Sequence, residues 1–288
     1  MEISKLSPED YSVHVRKLTE AEIQAYRDEG VVLVPAFADQ ATVAVLRAAA
    51  ERRAAAPSDH ADELSNVGRL LSDQFLYNDI DEFREFVFQT AVAENAGRAM
   101  GVDRVRLYFD HLFVCAPQTP TDYYWHQDVP YWPVTGDPIC SIWLSLTDCT
   151  PESSALQFVR GQEHQDQLYA QTPFGDEDPA RHQGFAAADR PPPPDFHAEP
   201  ERYEILSWDY KAGDAVLFNA RIMHSSGGNS SKDVNRVAYS TRWIGDDVRF
   251  AVKPGWQDPL LFPDSDERTR DGDPLVSRKF PVAWSARD

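Results

Sequence analysis

The sequence predicts a mainly β fold with flanking helices, a sandwich or jelly-roll barrel behind an α-helical N-terminal region. Two observations carry this expectation. From about residue 104 the chain breaks into short segments rich in β-branched and aromatic residues: VRLYFDHLFVCAP, YYWHQDVPYW, ICSIWLSLTD, SALQFVRG, DAVLFNARIMH and NRVAYSTRWIG, separated by Pro, Gly, Asp and Ser. Short strands divided by turn residues are the pattern of sandwiches and barrels. Before that point helix signals dominate. TEAEIQAYRDE opens with Thr19, places Glu22 three residues later as a capping box, and ends at Gly30, where a left-handed cap belongs. VVLVPAF (31–37) reads as a short β-branched run, and Asp39 then precedes QATVAVLRAAAERRAA, whose Ala, Leu and Arg content predicts a second helix.

The chain reads as one unit without internal repeat or linker: a largely helical part over 1–103, a jelly-roll core over 104–250 and a C-terminal extension over 251–288. Between 171 and 205 it is rich in Pro and Asp and has no period. A loop of that length in a compact unit is expected to be a functional lid or a disordered segment.

Composition narrows the function. With 42% hydrophobic and 11% aromatic residues among 288, the chain can fill a sizeable core. Its net charge of -19, from 47 acidic and 28 basic side chains, disfavours nucleic acid and anionic membranes, which both reward clustered Lys and Arg. No apolar run approaches the ~20 residues that span a bilayer, and the N-terminus is charged where a signal peptide would be apolar. The expectation is a cytoplasmic protein acting on a small molecule. Cys115, Cys140 and Cys149 form no CxxC pair and read as reduced core residues.

Within YYWHQDVPYW a histidine and an aspartate interrupt an aromatic run, and burying both is costly unless something pairs with them. A metal ion would do so. The HxD pattern occurs three times, at 60–62, 126–128 and 164–166. The first and last lie in polar, turn-like surroundings and read as solvated loops. Only His126 and Asp128 sit in an apolar, strand-like frame, where a spacing of two puts both on one face. His224, directly after DAVLFNARI, is the candidate third ligand. Two histidines and a carboxylate make the facial triad of non-haem Fe(II) oxygenases, which leaves positions open for a chelating cosubstrate and dioxygen. Two unrelated core histidines, with Asp128 in a salt bridge, would give the same spacing. Twelve residues on, Arg236 opens RVAYSTRW; buried near a metal it would need an anion, and a dicarboxylate or a protein Asp or Glu would serve.

Taken in order, WHQDVPYWP, ICSIWLSLTD, ESSALQFVRGQEH and KAGDAVLFNARIMHSSGGNSSKDVNRVAYSTRW resemble the phytanoyl-CoA dioxygenase (PhyH-like) family of Fe(II)/2-oxoglutarate-dependent oxygenases. LTEAEIQAYRDEGVVLVPAFAD resembles the usual opening of that family, so the likeness covers roughly residues 18–245. The resemblance implies a double-stranded β-helix of the cupin-like, jelly-roll kind. It implies that His126, Asp128 and His224 hold iron and that Arg236 binds the distal carboxylate of 2-oxoglutarate. It also brings Trp143, Ser226 and His111 towards the cosubstrate, although a core tryptophan, a turn serine and a structural histidine are the plainer readings of those positions. Cys115 stands where many relatives carry Lys, GQEH replaces the more usual Gly-Ser-His, and Arg236 lies one residue further from His224 than is common.

The implied chemistry consumes 2-oxoglutarate and O2, releases succinate and CO2, and hydroxylates the substrate. Related halogenases carry a small residue in place of the aspartate, so Asp128 argues for oxygenation. Desaturation and cyclisation use the same centre. The expected substrate is a free metabolite or natural-product intermediate, because the basic residues are scattered where a CoA thioester would want them clustered. Tyr123, Tyr124, Tyr131 and Trp132 are candidates for an apolar wall beside the metal. A non-redox jelly-roll enzyme using Zn or Mn, and a silent binding module on the same scaffold, remain open at this point.

Overall fold

A computed structural model describes residues 13–63, 69–120, 124–161, 167–171, 190–253 and 270–287. Both N-terminal helices start and stop where the caps require. Helix α1 (Glu20–Glu29) has Thr19 as N-cap with both arms of the capping box made, and Gly30 closes it at φ 70°. Helix α2 (Gln40–Ala55) is capped by Asp39, which accepts from the Thr42 amide. Helices α3 (Asp81–Gln89) and α4 (Val92–Met100) follow.

The strands are β1 (Val31–Val34), β2 (Asp62–Glu63), β3 (Leu70–Gln74), β4 (Arg104–Cys115), β5 (Val134–Thr135), β6 (Ile139–Ser145), β7 (Leu156–Val159), β8 (Ile205–Ser207), β9 (Ala215–Asn219), β10 (His224–Ser226), β11 (Arg236–Gly245), β12 (Arg249–Phe250) and β13 (Val282–Ser285). Eight form one large sheet in the order β1-β9-β6-β11-β4-β3-β2, with β13 added against β4. A second sheet has the order β10-β7-β8, and β12 pairs β5. The inner faces of the two larger sheets meet through Phe158 of β7 and Phe218 of β9, whose ring centroids are 5.2 Å apart. This is the jelly-roll arrangement, a double-stranded β-helix of mainly antiparallel strands.

Strand β11 shows why such a barrel reads as a near-continuous apolar run. All ten of its residues are buried, because each face has its own cover. Val237, Tyr239 and Trp243 face outwards into a cluster with Leu46, Phe83, Phe86 and Ala96 of the helices. Arg236, Ala238, Ser240 and Arg242 alternate onto the inner face. Beneath the helices Asp110 of β4 is fully buried, accepting from the Tyr239 hydroxyl at 2.6 Å and the Tyr77 amide at 2.9 Å. Burial raises its pKa to about 6 despite these bonds.

A carboxyl whose folded pKa lies above its unfolded value carries a penalty that is present above the folded pKa and relieved as pH falls towards the unfolded one. Asp110→Asn is therefore expected to flatten the pH dependence: going from pH 4.5 to pH 8 the wild type should lose about 2–3 kcal/mol relative to the variant. Urea unfolding of both proteins at the two pH values checks this.

The structure corrects one expectation and extends another. The N-terminal part is largely helical, as the sequence predicts, and in addition β1, β2 and β3 from that part and β13 from the C-terminal part complete the large sheet. The described residues of YYWHQDVPYW, 124–132, do not form a strand. They carry one isolated bridge, His126 to His224, and then turn, with the Tyr131 amide bonded to the Asp128 carbonyl at 3.0 Å. Pro130 within that turn has no amide to offer a ladder. Of the expected lid, 172–189 lies outside the described residues; 190–204 is irregular chain whose Phe196 and Tyr203 pack with Trp125, Val159 and Met223. The three cysteines are buried and free, as read from the sequence.

Candidate metal centre

His126, Asp128 and His224 come together in space. Their ligand atoms all lie within 4.8 Å of one another, and they form a metal-binding group. Asp128 Oδ1 is 3.9 Å from His126 Nε2 and 3.8 Å from His224 Nε2. Backbone pairing fixes the arrangement. The amides and carbonyls of His126 and His224 bond reciprocally at 3.0 and 2.9 Å, and the Asp128 amide donates to the Ala220 carbonyl at 3.0 Å. Both histidines are thereby joined across the bridge, and the HxD segment is tied to the chain between β9 and β10.

The outer partners orient the ligands. Nδ1 of His126 lies 2.9 Å from the Tyr124 carbonyl, and Nδ1 of His224 lies 3.1 Å from the Ile222 carbonyl. A carbonyl only accepts, so each Nδ1 carries the proton and each Nε2 presents its lone pair to the centre. The Ser141 hydroxyl donates to Asp128 Oδ2 at 3.3 Å, leaving Oδ1 towards the histidines. Burial lowers the His126 pKa to about 3 and that of His224 to about 4, so both imidazoles are neutral and metal-competent at neutral pH. Burial raises the Asp128 pKa, as expected of a carboxylate waiting for a cation. Around the ligands stand rings: Tyr131 edge-on to His126 at 5.8 Å, and Phe218 at 4.8 Å and Phe158 at 6.0 Å from His224.

Arg236 lies on the inner face of the barrel, directly opposite Cys115 of β4 in the strand register. It is 4% exposed. Its Nη2 donates to the Ser154 hydroxyl at 2.9 Å, while Nε and Nη1 have no hydrogen-bond partner among the described residues. Burial lowers its pKa. The extra residue before Arg236 has thus not turned it out of the barrel. Trp143 of β6 is buried against Tyr210, with the Arg236 guanidinium carbon 6.0 Å from its ring centroid. His111 of β4 is buried, its Nε2 bonded to the Ser72 hydroxyl and its Nδ1 without a partner among the described residues. Ser226 ends β10, half-buried and on the same side of the strand as His224.

Tyr124 is half-buried and contributes its carbonyl to His126; Trp132 packs on Tyr108 and Phe109 at 5.4 and 5.6 Å. Tyr123 lies outside the described residues. Of the other HxD copies, His60 is exposed and packs edge-on to Phe75, while 164–166 lie outside the described residues.

The turn from β10 to β11 links ligand to arginine. Asn229, fully buried, bonds the carbonyls of Cys115 and Val234, and its amide bonds the Thr119 carbonyl. A Cβ at Gly228 would stand 2.1 Å from the Pro120 carbonyl oxygen, which is backbone and cannot swing away. Gly228→Ala is expected to cost about 1–3 kcal/mol in denaturant unfolding, the usual range for an overpacked site.

A family model described as phytanoyl-CoA dioxygenase (PhyH) matches residues 26–238, well over half of the chain. The chain belongs to the phytanoyl-CoA dioxygenase family. Among solved structures of similar fold, the epimerase SnoN of nogalamycin biosynthesis, in complex with Fe3+, alpha ketoglutarate and nogalamycin RO, is 21% identical with a TM-score of 0.71, covering 92% of this chain and 98% of its own. The alpha ketoglutarate dependent carbocyclase SnoK from the same biosynthesis is 22% identical with a TM-score of 0.70, covering 92% and 96%. EctD from S. alaskensis with bound Fe is 17% identical with a TM-score of 0.63, covering 90% and 92%. Identities this low show a shared fold.

Dioxygenase hkm4 of Aspergillus hancockii is 28% identical over 130 residues, 43% of this chain. The match spans 33% of that relative's length. Among the described residues of this family member, no helix is long and apolar enough to cross a membrane.

Sequence reasoning missed several residues at the site. Ser141 and Ser154 touch Asp128 and Arg236, but a serine within a strand or turn gives no signal. Arg242 was visible in RVAYSTRW, since a second arginine six residues after Arg236 must share its face of the strand. Basic residues that looked scattered are partly gathered: Lys253 donates to the Val129 carbonyl at 2.8 Å, and burial together with Arg190 and Arg221 brings its pKa down to about 7.

Proposed function

We propose that this member of the family is an Fe(II)- and 2-oxoglutarate-dependent dioxygenase that hydroxylates a small molecule, with release of succinate and CO2. The observation that carries the reading is the pairing of the His126–Asp128–His224 cluster with Arg236, a buried guanidinium with two unpartnered nitrogens in the same barrel. A triad alone also suits Zn or Mn. A buried cation with idle donors asks in addition for an anion, and a dicarboxylate cosubstrate provides one.

The residues fit those two groups. His126 and His224 would offer Nε2 and Asp128 Oδ1 to the iron, held by the Tyr124 and Ile222 carbonyls and Ser141. Arg236 would take the distal carboxylate, with Trp143 as a flat apolar neighbour. His111 and Ser226 would approach the cosubstrate in this reading. When bound, iron and 2-oxoglutarate supply the oxidative decarboxylation that lets dioxygen attack an unactivated C–H bond. The rings of Tyr131, Phe158 and Phe218 keep the ligands in apolar surroundings.

For the substrate, a free metabolite or natural-product intermediate is the best reading. Arg190, Arg221 and Lys253 lie near one another, but Arg221 already faces Asp137 at 3.6 Å and Lys253 donates to the Val129 carbonyl, so these three fall short of what the phosphates of a CoA nucleotide would require. The SnoN and SnoK structures, an epimerase and a carbocyclase, indicate that the fold also hosts other outcomes.

The test needs no substrate. Metal-stripped protein mixed with Fe(II) and 2-oxoglutarate under argon should develop the weak visible charge-transfer band of the chelate. Iron binding without a band at saturating 2-oxoglutarate would sink the assignment and favour a non-redox metal site.

A further inference from the structure

The pose of Arg236 depends on a residue in an unusual conformation. Ser154, whose hydroxyl accepts from Arg236 Nη2 at 2.9 Å, lies in the turn between β6 and β7, 1% exposed and with φ 70°. That is the left-handed region, which glycine enters freely and serine rarely. Of the non-glycine residues described with positive φ, which are Ala36, Phe75, Gln118 and Ser154, only Ser154 is buried. Neighbouring bonds impose the conformation: the amides of Ser153 and Ala155 both donate to the Thr150 carbonyl, at 2.8 and 3.0 Å, and the Thr150 amide donates to Ser153 Oγ at 2.8 Å. A glycine would sit in this turn without strain, so a serine there burdens the fold unless its hydroxyl is used. Among the described residues the one hydrogen bond that hydroxyl makes is the one to Arg236.

The turn shares its scaffold with the arginine. Ser153 bridges Asn229, and the Ser230 amide donates to the Glu152 carbonyl at 3.0 Å. Asn229 in turn bonds the carbonyls of Cys115, opposite Arg236 on β4, and of Val234, two residues before it. One connection therefore holds both the backbone that carries Arg236 and the hydroxyl that meets its tip. A guanidinium offers two edges, Nε with Nη2 and Nη1 with Nη2, and either can meet a carboxylate in a bidentate pair. Nη2 gives one hydrogen to each edge, so Ser154, by taking one of them, leaves a single edge whole. Trp143, with its ring centroid 6.0 Å from the guanidinium carbon, flanks the group but has no acceptor to offer it.

We propose that Ser154 is a positioning residue for the cosubstrate: its hydroxyl, set by the left-handed turn, fixes Arg236 so that one edge of the guanidinium faces the distal carboxylate. The proposal rests on the cosubstrate reading given above. It divides the preference for a dicarboxylate between two residues, Arg236 supplying the charge and Ser154 its direction.

The experiment compares two acids on Fe(II)-loaded protein under argon, by visible absorption and calorimetry: 2-oxoglutarate, and 2-oxopentanoate, which lacks the distal carboxylate. Ser154→Ala and Ser154→Gly should each weaken 2-oxoglutarate about three- to tenfold, the factor one net hydrogen bond corresponds to, and leave 2-oxopentanoate within about twofold of wild type. Thermal melts of the metal-stripped variants separate the hydroxyl from the turn. Ser154→Gly should melt above Ser154→Ala, because only glycine relieves the left-handed residue, while both lose the preference for the dicarboxylate alike. Ser154→Gly also serves as the test should Ser154→Ala fail to fold. An unchanged or raised preference for 2-oxoglutarate in the Ser154 variants, with Arg236→Met abolishing it, would overturn this proposal and leave the cosubstrate reading standing. So would equal weakening of both acids, or a loss in the alanine variant that glycine restores, which would make the shape of the turn the cause. A wild type that binds neither acid, or binds both alike, would overturn the cosubstrate reading and this proposal with it.

Discussion

Asp128→Ala is expected to lose Fe(II) affinity by on the order of 100-fold or more, since removing even an outer partner of a metal ligand costs 10- to 100-fold. Succinate formation from 2-oxoglutarate should fall with it to background. The substitution removes the only carboxylate of the cluster and leaves two imidazoles, which cannot complete the triad. It should not unfold the protein. Burial already raises the Asp128 pKa in the absence of metal, so this carboxylate opposes folding at neutral pH and its loss is neutral or stabilising for the apoprotein. Metal content after desalting and a thermal melt of the stripped protein separate the two effects. A fall in melting temperature that accounts for the lost iron would show that Asp128 serves the fold.

Arg236→Met should likewise set stability against function. In the apoprotein it replaces a buried guanidinium, bonded only at Nη2, by an apolar chain of similar reach. Replacing buried charge in this way is neutral or stabilising by about 1–4 kcal/mol. For 2-oxoglutarate the same change would remove the proposed distal anchor, and the dissociation constant should rise by about 10- to 100-fold, as for a lost charge-assisted hydrogen bond. Fe(II) affinity without cosubstrate should stay close to wild type. An apoprotein markedly destabilised by Arg236→Met would mean that the Ser154 bond and the Trp143 contact outweigh the desolvated charge.

Much of this was legible in the chain. Thr19, Glu22 and Gly30 delimit α1 because a cap needs only residues within one turn. The period of two in RVAYSTRWIG gives β11 its two faces, and the apolar frame around His126 and Asp128 singles out one HxD among three. What escaped depends on distant partners. The HxD segment is not a strand, because it is held by one isolated bridge to His224 and by the Ala220 carbonyl, partners far away in the sequence. The N-terminal strands β1 and β3 join the large sheet through β9 and β4, pairings that no local period encodes.

The candidate donors are legible along the chain: two imidazoles, a carboxylate and an arginine, with the caps and the alternation of β11 that puts Arg236 on an inward face. Those are properties of residue type and short-range spacing. The fold adds what spacing cannot: the candidate ligands converge within 4.8 Å, their Nδ1 atoms bond the Tyr124 and Ile222 carbonyls, and Arg236 reaches the Trp143 ring inside the barrel. Convergence depends on how strands far apart in sequence come into register, and that register is set by the packing of the two larger sheets against each other and against the described helices.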